Sequence, residues 1–292
     1  MFGGCSGNQN KRSERQTSPA READMAVAIL GAGVMGETVV SGLLRAGRDP
    51  STLLVSERRP ERASELRQRY GVEVVDNLEA ATRADTLVLV VKPQDMPDLL
   101  DEIAPVVRAG QLVVSLAAGI TTGSIEARLP DGVPVVRVMP NTPALVDEGM
   151  AAISPGVHCD EAHLVEAEDL LRSTGKVIRV PEKQQDAVTA ISGSGPAYLF
   201  FVVEAMIEAG VHLGLPRSTA TELVVQTMVG SATMLRETGE HPTVLRERVT
   251  SPGGTTAAAV RELEDHKVRA AFMTALESAA RRSRELASGI DT

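Results

Sequence analysis

Between Ala26 and Pro181 short apolar runs rich in β-branched residues alternate with stretches of helical period, and beyond Pro181 the alternation stops. Residues 27–30, 53–56, 87–91, 112–116 and 135–139 read as strands, with helical patterns over 37–45, 60–69, 77–82, 97–107 and 122–129. Such alternation predicts a doubly wound, mostly parallel sheet, because parallel strands need long crossovers and helices supply them. A strand over 150–153, a helix over 161–173 and a strand over 176–180 complete this unit. Residues 182–286 read as nearly all helix, broken at Gly193-Ser194-Gly195-Pro196, Gly214-Leu215-Pro216, residues 239–242 and the segment from Ser251. The pattern predicts an α/β domain over 25–181 followed by an all-α domain over 182–292.

The second unit carries an assembly signal. Residues 197–213 are apolar around most of a helix, and Tyr198, Phe200 and Phe201 are half of the chain's aromatics (two Tyr, four Phe, no Trp). A helix apolar all round must be covered on all sides. The helical unit alone offers a small core, so a second subunit is the expected cover, with a self-sufficient bundle as the alternative. The next helix begins at Pro216 and stops before Gly239, and its Ala220, Gly230 and Ala232 permit close helix approach.

Composition narrows the class. The chain has 292 residues, 43% hydrophobic and 24% charged, with a net charge of −9. That balance fits a soluble enzyme of one or two domains, argues against nonspecific nucleic-acid binding and gives no reason to invoke a membrane surface. No apolar run reads as long enough to span a bilayer. Cys5 and Cys159 share no metal-like spacing and cannot build a disulfide framework, so no metal and a reducing, cytoplasmic setting are expected. Residues 1–24 are rich in Ser, Arg, Gln, Asn and Gly without apolar period, which predicts a disordered extension.

Two glycine-bearing motifs carry the chemistry. In the first, Val27-Ala28-Ile29-Leu30-Gly31-Ala32-Gly33-Val34-Met35-Gly36, an apolar strand leads into a helical pattern that stops at Gly47. In that context G-x-G-x-x-G is a dinucleotide fingerprint and the unit a Rossmann-type domain. Gly31 allows the tight turn, Gly33 lets the backbone approach a pyrophosphate, and Gly36 lets helix pack on strand; a turn that binds nothing is the plain alternative. The second strand ends in Ser56-Glu57-Arg58-Arg59. Glu57 suits the ribose 2′-hydroxyl of NAD, whereas Arg58 and Arg59, with Ser56, suit the 2′-phosphate of NADP. NADP is favoured, with NAD the alternative.

The second motif, Ser251-Pro252-Gly253-Gly254-Thr255-Thr256, precedes an apparent helix. Consecutive amides of Gly253, Gly254, Thr255 and Thr256 at a helix start make a carboxylate trap. A plain N-cap is the alternative.

These two motifs, together with Val91-Lys92-Pro93, Met139-Pro140-Asn141-Thr142-Pro143 and Ser192-Gly193-Ser194-Gly195-Pro196-Ala197-Tyr198, resemble pyrroline-5-carboxylate reductase over residues 26–286. The resemblance implies NAD(P)H-dependent reduction of the cyclic imine 1-pyrroline-5-carboxylate to L-proline, the last step of proline biosynthesis. It implies cofactor contacts from Gly31, Ala32, Gly33, Val34, Met35, Gly36, Ser56, Asn77, Val90, Val91, Lys92, Pro93 and Asn141, beside the Arg58 and Arg59 noted above. Leu116, Ala117 and Ala118 would lie beside nicotinamide and substrate. Ser251, Gly253, Gly254, Thr255 and Thr256 would bind the substrate carboxylate and ring nitrogen, with the Thr256 hydroxyl on that nitrogen as the catalytic contact. Arg248 lies just upstream, at a place where the family carries an uncharged amide. The family's intertwined dimers, built into decamers, imply a homodimer whose substrate sites are completed by helices of two subunits.

Two rival readings remain at this level. A β-hydroxyacid dehydrogenase shares the glycine loop and a helical second domain but uses a catalytic lysine there; only Lys183 and Lys267 lie past Pro181, in no such context. A dinucleotide-sensing protein without turnover would have no need of the Ser251 motif.

Overall fold

The computed structural model describes residues 25–287; the extension expected over 1–24 lies outside them. The first unit is built on one eight-stranded sheet in the order β3-β2-β1-β4-β5-β6-β7-β8. Strands β1 Val27–Leu30, β2 Leu53–Ser56, β3 Glu73–Val75, β4 Thr86–Leu89, β5 Leu112–Ser115 and β6 Val135–Met139 run parallel. Strand β7 Gly149–Pro155 pairs antiparallel with β6, and β8 Gly175–Arg179 parallel with β7. Helices α1 Val34–Arg45, α2 Pro60–Tyr70 and α6 Glu161–Arg172 pack one face; α3 Asn77–Arg83, α4 Met96–Ile103 and α5 Thr122–Glu126 pack the other. Covered on both faces, β1, β2, β4 and β5 are buried at every residue, which is why they are apolar but for Ser56, Thr86 and Ser115 at strand ends.

The differences from the sequence pattern have local causes. Strand β3 spans three residues, too few to show a period. Strand β4 ends at Leu89 rather than Val91: Val90 N–H still donates to Leu30 at 2.8 Å, but Pro93 then opens a turn over Pro93–Asp95. Helix α4 stops at Ile103: Ala104 keeps helical angles and donates to Leu100 O at 2.9 Å, but Pro105 has no N–H with which to continue the ladder.

The second unit is helical throughout. A 3₁₀ turn Glu182–Gln184, α7 Gln185–Val188, a π-turn Thr189–Gly193 and α8 Gly195–His212 follow one another. The expected break at Gly193 to Pro196 is therefore a bend. Ser194 N–H reaches back to Thr189 O at 2.8 Å, and Pro196 sits in the first turn of α8, where no N–H is required. The joined run Glu182–His212 is, by length and composition, apolar enough to cross a membrane, correcting the expectation that no run is. Helices α9 Arg217–Thr238, α10 Pro242–Arg248, α11 Thr255–Asp265 and α12 Val268–Ala287 complete the unit.

Three contacts seat it on the sheet. Glu182 accepts from Thr122 N–H (2.8 Å) and hydroxyl (2.7 Å) and pairs with the buried Arg137 at 3.2 Å. Asn141 Nδ2 donates to Ser192 O at 3.2 Å, and the buried Gln185 Nε2 donates to Ser154 Oγ of β7 at 2.8 Å. Beyond these anchors the apolar surface is bare. No residue of α8 is buried and Phe201 is 71% exposed; α9 buries only Ala220, which takes the close approach of Gly210.

Candidate active site

Strand order reverses between β1 and β4, and the crevice at their carboxyl ends is where open α/β sheets hold ligands. The glycine loop lies there. Gly31 has φ +102°, donates to Ser56 O at 3.1 Å, and would drive a Cβ to 2.6 Å from Val90 O. A Cβ on Gly36 would stand 2.1 Å from Gly31 O. Both glycines are demanded by the protein's own backbone. Gly33 is different: it caps α1 with φ −68°, is exposed, and a Cβ there would meet nothing within 4 Å. Only a group from outside requires its bareness, and the first-turn amides of α1, capped by no side chain, suit a pyrophosphate. The loop therefore fits a dinucleotide.

The neighbouring strand ends converge on it. Val90 and Val91 pack against Gly31, while Lys92 is exposed at the start of the next turn. At the end of β2, Ser56 Oγ donates to Asn77 Oδ1 at 2.6 Å, and Asn77 Nδ2 donates to Glu102 at 2.8 Å. Glu57 accepts from the Arg59 backbone N–H (2.9 Å) and from its guanidinium (3.0 and 3.1 Å), which holds the Glu57 carboxyl below its ordinary range. Arg58 is 3.4 Å from Glu102. Each arginine assigned to a 2′-phosphate thus already faces a carboxylate. Leu116 and Ala117 are buried past the end of β5, with Ala118 exposed beside them. Gly119, φ +76°, brings that loop against Ala287 at the end of α12.

Asn141 is spent internally: its amide donates to Ser192 and its Oδ1 accepts from Met150 N–H at 2.8 Å. Its role visible in the chain is to join the two units.

The second motif forms a tight turn. Gly253 has φ +69°, Gly254 N–H donates to Ser251 O at 3.0 Å, and a Cβ on Gly254 would collide with Ser251 Oγ at 2.3 Å. Gly254 is the N-cap of α11, with no side chain capping it. The expected row of four donors is shorter by one, since the Gly254 amide is already used; the Gly253 amide and the first-turn amides of Thr255 and Thr256 remain for an anion. Thr256 is half-buried and Thr255 exposed. Arg248 is clamped by Glu240 at 2.5 and 2.6 Å, so its charge is balanced within the chain. Among the described residues no hydrogen bond or ion pair links residues 251–256 to the sheet domain. One chain thus gathers the glycine loop, Ser56, Asn77 and residues 90–93 at one crevice, and keeps the Ser251 turn on a separate element.

Residues 182–286 match the family described as pyrroline-5-carboxylate reductase dimerisation, and residues 26–119 match NADP oxidoreductase coenzyme F420-dependent. A pyrroline-5-carboxylate reductase of Corynebacterium melassecola is 49% identical over 264 residues, covering 89% of this chain and 98% of the relative. The chain belongs to the pyrroline-5-carboxylate reductase family. Solved structures of such reductases agree. That from Coxiella burnetii is 38% identical with a TM-score of 0.86, covering 90% of this chain and 98% of its own. That from Plasmodium falciparum, solved with NADP bound, is 29% identical with a TM-score of 0.82, covering 91% and 99%. As a member of this reductase family the chain is an oxidoreductase, and its bare α8 and α9 faces fall inside the dimerisation match.

Two acidic residues that tie elements together escaped the sequence pattern. Glu37, in the first turn of α1, accepts from Tyr70 (2.7 Å) and Arg69 (3.0 Å) and pairs with Arg62, locking α1 to α2. Burial opposes its ionisation, but the Tyr70 and Arg62 hydrogen bonds outweigh that and lower its pKa. Glu102 is the other, and only the fold brings it to Asn77.

Proposed function

We propose that the chain reduces the C=N bond of 1-pyrroline-5-carboxylate to give L-proline, with NADPH or NADH as the reductant. The observation that carries this reading is a pair of uncapped helix starts: α1 behind a Gly33 that no protein atom requires, and α11 behind the Ser251 turn. One suits a pyrophosphate and the other a carboxylate. The glycine loop, Ser56, Asn77 and residues 90–93 would hold the dinucleotide, with Leu116, Ala117 and Ala118 flooring the space between cofactor and substrate. When bound, the dihydronicotinamide supplies a hydride to the imine carbon.

The chain's own part is placement. Amides of Thr255 and Thr256 fix the substrate carboxylate without a formal positive charge competing with the iminium. The Thr256 hydroxyl orients the ring nitrogen, which holds the reacting carbon in near-attack contact. Threonine is a poor general acid, so the nitrogen's proton comes from solvent or arrives with the substrate. Because residues 251–256 stand apart from the crevice within one chain, the working site is completed across a homodimer, and dimers assemble into a decamer. The division at 181/182 separates cofactor binding from substrate binding and dimerisation, and the setting is cytoplasmic.

The test is oxidation of NADPH and NADH with 1-pyrroline-5-carboxylate, against a panel of 2- and 3-hydroxy and keto acids. Turnover with the imine alone supports the proposal. Turnover with hydroxy acids favours the dehydrogenase reading, and dinucleotide binding without any turnover favours a sensor.

A further inference from the structure

At the carboxyl end of β2 the row Glu102, Asn77, Ser56 has a direction that chemistry fixes. A carboxylate only accepts, so Asn77 must turn its NH₂ to Glu102, at 2.8 Å, and its carbonyl to Ser56, at 2.6 Å. An amide carbonyl also only accepts, so Ser56 must give its single hydroxyl proton to Asn77. Ser56 and Asn77 are both buried, and with Glu57, Arg58 and Glu102 they line a cleft of about 320 Å³. Toward that cleft Ser56 has lone pairs left and no proton. A ribose 2′-hydroxyl can donate to such an oxygen; a 2′-phosphate brings further acceptors and needs donors. Arg58 and Arg59 reinforce the asymmetry, because Arg59 is bound to Glu57 through two nitrogens and Arg58 lies beside Glu102; Arg67, on the same cleft, donates to Val74 O at 2.9 Å.

We propose that Glu102 is a specificity-determining positioning residue: through Asn77 it sets the Ser56 hydroxyl as an acceptor and biases the cofactor site toward NADH over NADPH. The proposal runs against what Arg58 and Arg59 suggest when taken by themselves, and it rests on the dinucleotide reading of the crevice given above.

Glu102→Gln tests it. A glutamine can donate as well as accept, so the Asn77 amide is free to reverse and the Ser56 proton is released for a phosphate. The ratio of kcat/KM for NADPH to that for NADH should rise about fivefold or more, the worth of one ordinary hydrogen bond. The ratio of the two dinucleotide Kd values, measured by calorimetry without imine, should move in parallel, and loss of folded protein would not alter either ratio. Ser56→Ala should weaken NADH binding more than NADPH binding. Unchanged or lowered NADPH preference in Glu102→Gln, in both turnover and binding, overturns the proposal. If the wild type binds both dinucleotides but does not reduce the imine, the reaction reading fails and the Kd ratio still decides the role of Glu102. A wild type that binds neither dinucleotide overturns both.

Discussion

Gly33→Ala separates what the fold requires from what the ligand requires. The residue has φ −68° and ψ −168°, which alanine adopts freely, and its Cβ would enter open space. Alanine is a poorer N-cap than glycine but restricts the unfolded chain, and the two effects nearly cancel, leaving stability within about 1 kcal/mol of wild type. A methyl group at that point holds a pyrophosphate off the first-turn amides of α1. Losing hydrogen bonds to a charged group costs about 1.5–3 kcal/mol, or roughly ten- to hundredfold in Kd for either dinucleotide. Gly36→Ala is the contrast: its Cβ would sit 2.1 Å from Gly31 O, so backbone must move by more than an ångström, at a cost of about 3 kcal/mol or more. Thermal unfolding by circular dichroism and calorimetric titration with NADH and NADPH give both quantities; the chain has no Trp, so the reduced cofactor's own fluorescence is the optical probe. A Gly33→Ala protein that binds both dinucleotides with wild-type Kd would refute the assignment of the loop.

Three further outcomes are expected. Thr256→Ala should lower kcat roughly tenfold or more with little change in NADPH affinity, and Thr256→Ser should restore most of it; wild-type kcat/KM in both variants would leave Thr256 as a helix-start residue only. Phe201→Asp should give monomer or insoluble protein in sedimentation, because a carboxylate cannot be buried unpaired between subunits, and a stable monomeric wild type would sink that idea. Burial pushes the Glu166 carboxyl above its ordinary 4.5, the Thr86 hydrogen bond only partly opposing it. The unfolded chain then releases this proton first, so its contribution to stability falls as pH rises from about 4.5 through the folded value. Glu166→Gln should therefore match wild type near pH 4 and melt higher at pH 8; an equal difference at both pH values would contradict the sign.

What was legible in the sequence followed from burial on two faces and from backbone constraint. Strands β1, β2 and β6 are read to the residue because their apolar positions run together with only Ser56 and Arg137 polar, whereas β3 has three residues and one buried side chain. Gly31, Gly36 and Gly254 were legible as motif glycines, and each proves to be required by a specific backbone or hydroxyl oxygen. The helix bend at Ser194 was misread because Gly and Pro signal interruption locally, while the π-turn that absorbs them depends on a bond five residues back. Glu102 and Glu37 could not be found that way. Both sit on polar faces of amphipathic helices, and their partners lie 25 or more residues away.

The bare surface of α8 has a consequence for how the molecule behaves on dilution. With nothing on that helix buried in a single chain, the half that carries the Ser251 turn acquires a dry interior only by association. Its folding is then second order: each tenfold fall in concentration removes about 1.4 kcal/mol per dimer formed, and the melting temperature drifts down with it. If the proposed site is completed across two chains, turnover per chain would follow the same law. The amount of protein present would thus set the fraction of it that works.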